Sequence, residues 1–206
     1  MHTYRDAAGL TKVAVICVFA YMALDLLFGA MLLYDYSTMS DFANVTVLRN
    51  ADFIALPMIA AMLVCFVVVG MWIYRASANA HAISDEMTIS PGWAVGWYFV
   101  PFMNLVRPYQ GMREVWLASH YRGNWHGEPA PSLLGWWWGL WIVTNILSNV
   151  SFRLSMNDAA GALTEMILIL DVGAAVLNVP LSLALITIMR RTREAQRHAI
   201  DQETFA

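Results

Sequence analysis

Residues 91–116 read PGWAVGWYFVPFMNLVRPYQGMREVW. This stretch is apolar and aromatic, and long hydrophobic runs flank it on both sides. Whether it crosses a membrane decides the topology. Its apolar part, Trp93–Val106, is 14 residues long, short of the ~20 that a helix needs to cross a ~30 Å hydrocarbon core. Pro91 precedes it, Pro101 interrupts it and Pro108 follows it. A proline inside a helix removes a backbone donor and clashes with the preceding turn. Broken backbone at membrane depth survives only where protein or water satisfies its polar groups. The segment is therefore expected to be re-entrant or interfacial. Past it, Leu105, Tyr109, Met112 and Trp116 recur at helical spacing, with Asn104, Arg107, Gln110, Arg113 and Glu114 on other faces. That pattern predicts an amphipathic helix in the interface plane, the whole element covering about 91–120. Two roles fit: a packing plug beneath a helix bundle, or a surface for a ligand, lipid or partner.

Four runs around it have spanning length: Val13–Tyr34, Phe53–Tyr74, Leu133–Val150 and Met166–Met189. The composition agrees. The chain of 206 residues is 59% hydrophobic and only 13% charged, about half the charge of a soluble domain, and its mean hydropathy is +0.54. The first run is too long for a signal peptide, and Phe28-Gly29-Ala30 is a poor cleavage site. We therefore expect an all-α integral membrane protein. Residues 1–194 form a single four-span domain, and 195–206 form a polar tail.

Basic residues orient it, because cytoplasmic loops carry the excess of Lys and Arg. Four spans with both termini inside place Arg5, Lys12, Arg75, Arg107, Arg113, Arg122, Arg190, Arg191, Arg193 and Arg197 inside. Arg49 and Arg153 are outside, a ratio of ten to two. Letting Trp93–Val106 cross as a fifth span gives eight to four. Four spans fit better, and the first outer loop then carries Asp35, Asp41 and Asp52. Tyr34, Tyr36, Trp72, Tyr74, Trp136, Trp137, Trp138 and Trp141 mark the span ends, where an amphipathic ring is favoured. The expected arrangement is a multi-pass protein with both termini cytoplasmic.

Several residues then form a pattern. Arg75, Asn79, Pro91-Gly92-Trp93, Trp97, Pro101, Asn104, Arg107-Pro108, Glu114 and Trp116 resemble the signature of a bacterial multi-pass membrane family, catalogued as domain of unknown function 4328. The resemblance covers about residues 50–190 and is most specific over 74–118. It implies the membrane class and a bacterial origin. It carries over no catalytic residues.

Chemistry inside the spans centres on Asp25, among Tyr21, Leu24, Leu26 and Leu27. An intramembrane carboxyl is costly and is expected to face the bundle interior or a polar cavity. Asp171, Asn145, Ser148, Asn149 and Asn178 add polar groups to the third and fourth spans. They suggest either a proton- or cation-linked path or ordinary interhelical contacts of about 0.6 kcal/mol each. Cys17 and Cys65 lie in apolar runs and are read as buried thiols. His2, His81, His120, His126 and His198 lie away from the span centres, which disfavours haem. His81, His120 and His126, with Asp85, Glu86, Glu114 and Glu128, could form a cytoplasmic metal site, but their spacing matches no established ligand pattern. No metal or cofactor is expected. Gly92-x-x-x-Gly96 and Gly135-x-x-x-Gly139 permit close helix approach, and Asn44-Val45-Thr46 is irrelevant as a glycosylation acceptor in a bacterium. No phosphate loop, nucleophile elbow or H-E-x-x-H motif occurs, and nothing suggests nucleic-acid binding. The arginines of RRTREAQR (190–197) read as a topology determinant that also attracts anionic lipid.

Two functions are expected from this reading. The first is a non-enzymatic scaffold or regulator that binds lipid, a membrane partner or a second copy. The alternative is a small transporter or ion-conducting protein using Asp25.

Overall fold

The computed structural model describes residues 3–38, 45–121, 125, 127–157 and 162–204. His2, Asp41, Asn44, Arg122 and His126 lie outside them, as do the side chains of Arg49 and Asp52. Among the described residues the fold is all-α. The helices are α1 (Ala8–Thr38), α2 (Val45–Ile83), α3 (Pro91–Gly96), α4 (Arg107–His120), α5 (Ser132–Asn157) and α6 (Thr164–Thr204). Three stretches are long and apolar enough to cross a membrane: Ala8–Ser37, Leu56–Ile83 and Thr164–Asp201. α5 has 26 residues, but its tryptophans, serines and asparagines dilute its hydropathy and it is not among the three. α2 and α6 contain Pro57 and Pro180 in their interiors, which neighbouring groups in a membrane bundle tolerate.

Two compact units divide the chain. Met1–Ile16, Phe66–Trp138 and Ala184–Ala206 form one, and Cys17–Cys65 with Gly139–Leu183 form the other. The first has a core of the soluble kind. Trp72, Leu117, Trp125, Leu134, Ile188 and Met189 are its largest apolar side chains with almost no exposure. In the second the buried side chains are mostly small: Thr144, Ser151, Ala175 and Ser182, with Val18. A Cβ on Gly29 of α1 would meet Ala175 Cβ of α6 at 3.3 Å, so the two backbones approach closely there. Large apolar groups such as Leu27, Ile146, Ile169 and Val176 face outward. Small residues inside and large apolar ones outside is how helices pack when lipid, not water, surrounds them.

The proline-broken stretch becomes three short pieces in the first unit. Pro91 opens α3, its missing N–H costing nothing at a helix start, and Ala94 N donates to Ser90 O at 2.9 Å. Two single 3-10 turns follow, Trp97–Phe99 and Met103–Leu105. Between them Met103 N donates to Pro101 O at 2.8 Å across Phe102, whose φ is 63° and ψ −41°. This is the γ-turn with positive φ, a rare and strained conformation for a residue with a side chain. α4 then starts at Arg107 with a proline in its first turn and ends at Tyr121, where the backbone becomes extended.

α4 is mostly buried, from Pro108 through Met112 to Ser119, Glu114 included, while Arg107 and Gln110 are exposed. It is the packed centre of its unit. The stretch 195–206, read from sequence as a polar tail, continues α6 as helix to Thr204, with Gln196 only 1% exposed. Ile188, Met189, Thr192, Gln196 and Ala199 form the buried stripe that holds it in place.

Candidate functional site

Two constellations involve the residues singled out from the sequence. The first lies in the unit built around α4. Asn79, also 1% exposed, accepts from Arg5 N at 3.1 Å and donates to Arg5 O at 3.0 Å. One side-chain amide thus engages both backbone groups of Arg5. The same Nδ2 lies 3.3 Å from Gln196 Oε1. Gln196 Nε2 donates to Ala76 O at 2.8 Å and to Ser119 Oγ at 3.0 Å, and the Ser119 hydroxyl donates to Val115 O. This connected network fixes α1's approach, α2, α4 and α6 together. Buried polar groups are tolerated when hydrogen-bonded, and such a network specifies a single packing.

Glu114 forms the second half of this constellation. Its carboxylate accepts from Thr88 N and Ile89 N, each at 3.0 Å, and from the Thr88 hydroxyl. It thereby clamps the connection between α2 and α3. Trp125 Nε1 donates to Ser84 Oγ at 3.1 Å, and His81 Nε2 lies 3.0 Å from Ile89 O. Trp116 stacks on His120 with centroids 4.1 Å apart, and His120 Nδ1 lies 2.9 Å from Trp116 O. Burial pushes the His120 imidazole below its ordinary range, opposed by the bond to Trp116 O and reinforced by Arg191.

The aromatic segment has an inner and an outer face. Pro91 and Pro108 are buried, while Gly92 opens on empty space. Trp93 stacks on Trp97 at 4.5 Å, and the Arg107 guanidinium sits 5.5 Å from the centroid of the Trp97 ring, within cation–π range. Arg107 also donates to Gln110 Oε1 at 3.2 Å. Asn104 N donates to Val100 O at 2.9 Å, and Trp138 Nε1 ties the segment to α5 through Leu105 O at 2.9 Å. Phe99, Phe102, Met103, Leu105 and Val106 face outward, Phe102 most of all at 85% exposure.

Beside this segment runs a groove of about 420 Å³, lined by Leu10, Phe66, Val67, Gly70, Met71, Tyr74, Arg75, Val95 and Phe99. Apart from the Tyr74 hydroxyl and the half-buried Arg75 its side chains are apolar.

The second constellation lies in the other unit. Asn178 Nδ2 donates to Asp25 Oδ2 at 2.7 Å, and Ser182 Oγ lies 3.2 Å from Asn178 Oδ1. Asp171 of α6 lies near Ser151 of α5. Asn145 and Asn149 are not brought to Asp25. They are exposed, and their amides donate back along α5 to Trp141 O and Asn145 O, each at 2.8 Å. The five candidates therefore give one hydrogen-bonded pair, Asp25 with Asn178, then Asp171 near Ser151, and an outward stripe. Cys17 and Cys65 are free thiols. Among the described residues no three His, Cys, Asp or Glu side chains converge as a metal site would require.

One family model covers most of the chain. A domain of unknown function (DUF4328) matches residues 34–194, more than half of the chain. The chain belongs to the DUF4328 family. No curated protein and no solved structure matches it. The DUF4328 region contains both constellations apart from Arg5, Asp25 and Gln196. Sequence reasoning named Arg75, Asn79 and Glu114, but it passed over Gln196, Ser119, Thr88 and the strained Phe102. A helical stripe at Ile188, Met189, Thr192 and Gln196 was the signal that could have found Gln196.

Proposed function

We propose that this protein is a non-enzymatic membrane scaffold or regulator whose α4-centred unit presents an apolar groove to lipid or to a membrane partner. The groove beside Val95 and Phe99 carries this reading. It is open, apolar and bordered by outward aromatic residues, whereas Asp25 is already engaged by Asn178. In this reading α5 is a fourth crossing. Its 26 residues extend about 39 Å at 1.5 Å per residue, enough for the hydrocarbon core. Both termini and the α4 unit then lie on the cytoplasmic side of a bacterial inner membrane, as the distribution of arginines favours. The outward Phe99, Phe102 and Met103 dip into the bilayer from that side. Arg190 and Arg191 face outward to anionic lipid. Arg193 and Arg197 are partly engaged by Asp6 at 3.8 Å and Asp201 at 3.6 Å.

Topology is tested by thiol labelling in a background lacking Cys17 and Cys65. Asp85→Cys and Tyr121→Cys place thiols at exposed positions on either side of the aromatic segment. Both should label from the cytoplasmic face. Labelling from opposite faces means that the segment crosses and that four spans is wrong.

The transporter alternative is tested in proteoliposomes. Proton and monovalent-cation flux should not exceed that of protein-free vesicles, with Asp25→Asn indistinguishable from wild type. A flux that Asp25→Asn abolishes would overturn the scaffold reading.

A further inference from the structure

The groove has a direction, and the direction points to a ligand. Five of its residues, Phe66, Val67, Gly70, Met71 and Tyr74, lie on one side of α2, with Arg75 at the end. From Phe66 to Arg75 the helix rises about 14 Å. One end is closed by Phe66 and Phe99, packed edge to face with centroids 5.6 Å apart. The middle is deep because position 70 is glycine: a Cβ there would meet only Val95 Cγ1, at 3.6 Å. The other end carries the phenol of Tyr74 and the guanidinium of Arg75. Among the described residues no side chain pairs with that guanidinium. It is half-buried nonetheless, and a cation held partly out of water gains from an anion.

We infer that the groove is the seat of one anionic glycerophospholipid, with an acyl chain along Gly70 toward Phe66 and its phosphate on Arg75. This rests on the scaffold reading above and names the ligand of the same surface. Charge complementarity selects the occupant. An apolar partner helix would leave Arg75 unpaired, and a zwitterionic lipid offers it a phosphate already offset by its own cation. A guanidinium matches the phosphate with paired N–H donors. The polarity gradient also agrees with a lipid of the cytoplasmic leaflet. Tyr74 and Arg75 stand where headgroups lie, and Phe66 stands deeper in the apolar run of α2.

Native mass spectrometry of the full chain tests this, using protein delipidated in mild detergent. Dioleoyl phosphatidylglycerol and dioleoyl phosphatidylcholine are supplied at equal mole fraction. Wild type should retain one phosphatidylglycerol in preference. Arg75→Gln should lose about fivefold of that preference, the equivalent of about 1 kcal/mol for one basic residue at an anionic surface. Gly70→Leu, which fills the groove, should reduce both lipids. Unchanged preference in Arg75→Gln overturns the headgroup assignment. If Gly70→Leu still displaces lipid in that case, the groove remains a docking surface and the scaffold reading stands. A dimer that Gly70→Leu dissociates, with no lipid retained, makes a second copy the occupant and overturns the proposal. Failure of the scaffold reading itself appears elsewhere, as Asp25-dependent flux.

Discussion

Gln196→Ala should lower the thermal midpoint of the detergent-solubilised protein by roughly 6–12 °C. The side chain is 1% exposed and makes three hydrogen bonds, to Ala76 O, Ser119 Oγ and Asn79 Nδ2. Truncation leaves a cavity and takes partners from buried polar groups. Each unsatisfied group costs about 1–3 kcal/mol, and the lost packing adds to it. A total of about 3 kcal/mol is expected, at about 2–4 °C per kcal/mol for a chain of this size. Gln196→Leu separates the two contributions, since it restores most of the volume but none of the bonds. Its midpoint should fall between those of wild type and Gln196→Ala. If Gln196→Ala moves the midpoint by less than about 2 °C, the end of α6 is not part of the packed unit.

Glu114→Ala should act more locally. Its carboxylate holds the amides of Thr88 and Ile89 and the Thr88 hydroxyl. Hydrogen bonds to a charged acceptor contribute about 1.5–3 kcal/mol, and alanine removes all of them. The connection between α2 and α3 should then open without the whole unit unfolding. Hydrogen exchange at amides 88 and 89 should accelerate roughly 100-fold, since every 1.4 kcal/mol is a factor of ten. Glu114→Gln keeps an acceptor and should recover part of the protection. Equal acceleration throughout α4 would mean that Glu114 supports the helix and not the loop.

These two residues also show where the sequence was legible. The long helices could be read because length and hydropathy are properties of contiguous residues. Three of the expected spans coincide with helices long and apolar enough to cross a membrane. The break at Pro91, Pro101 and Pro108 could be read because proline acts on its own backbone. Asp25 drew attention as an isolated carboxyl, but its partner Asn178 is 153 residues away. Glu114 looked like part of a solvated face, because amphipathic counting places any carboxylate outside. Its acceptor role depends on a loop 25 and 26 residues earlier. Gln196 looked like tail because it sits within the arginine cluster 190–197, and only the packing of α2 and α4 against α6 buries it. The γ-turn at Phe102 is invisible to periodicity, since its strain lies in one backbone angle.

The Asn79 amide holds both backbone groups of Arg5, and Gln196 closes the same network. This constrains the order in which the protein is made. The α4 unit draws on residues from both ends of the chain, so it cannot close until residue 196 has left the ribosome. α1 and α2 must therefore enter the bilayer before the polar groups near their ends have partners. Contacts of such long sequence separation form late and slowly, and a chain halted before α6 leaves Asn79 without the amide that completes its site. Closure of this unit thus waits on α6, and nascent chains halted before residue 196 should be substrates for membrane quality-control proteolysis.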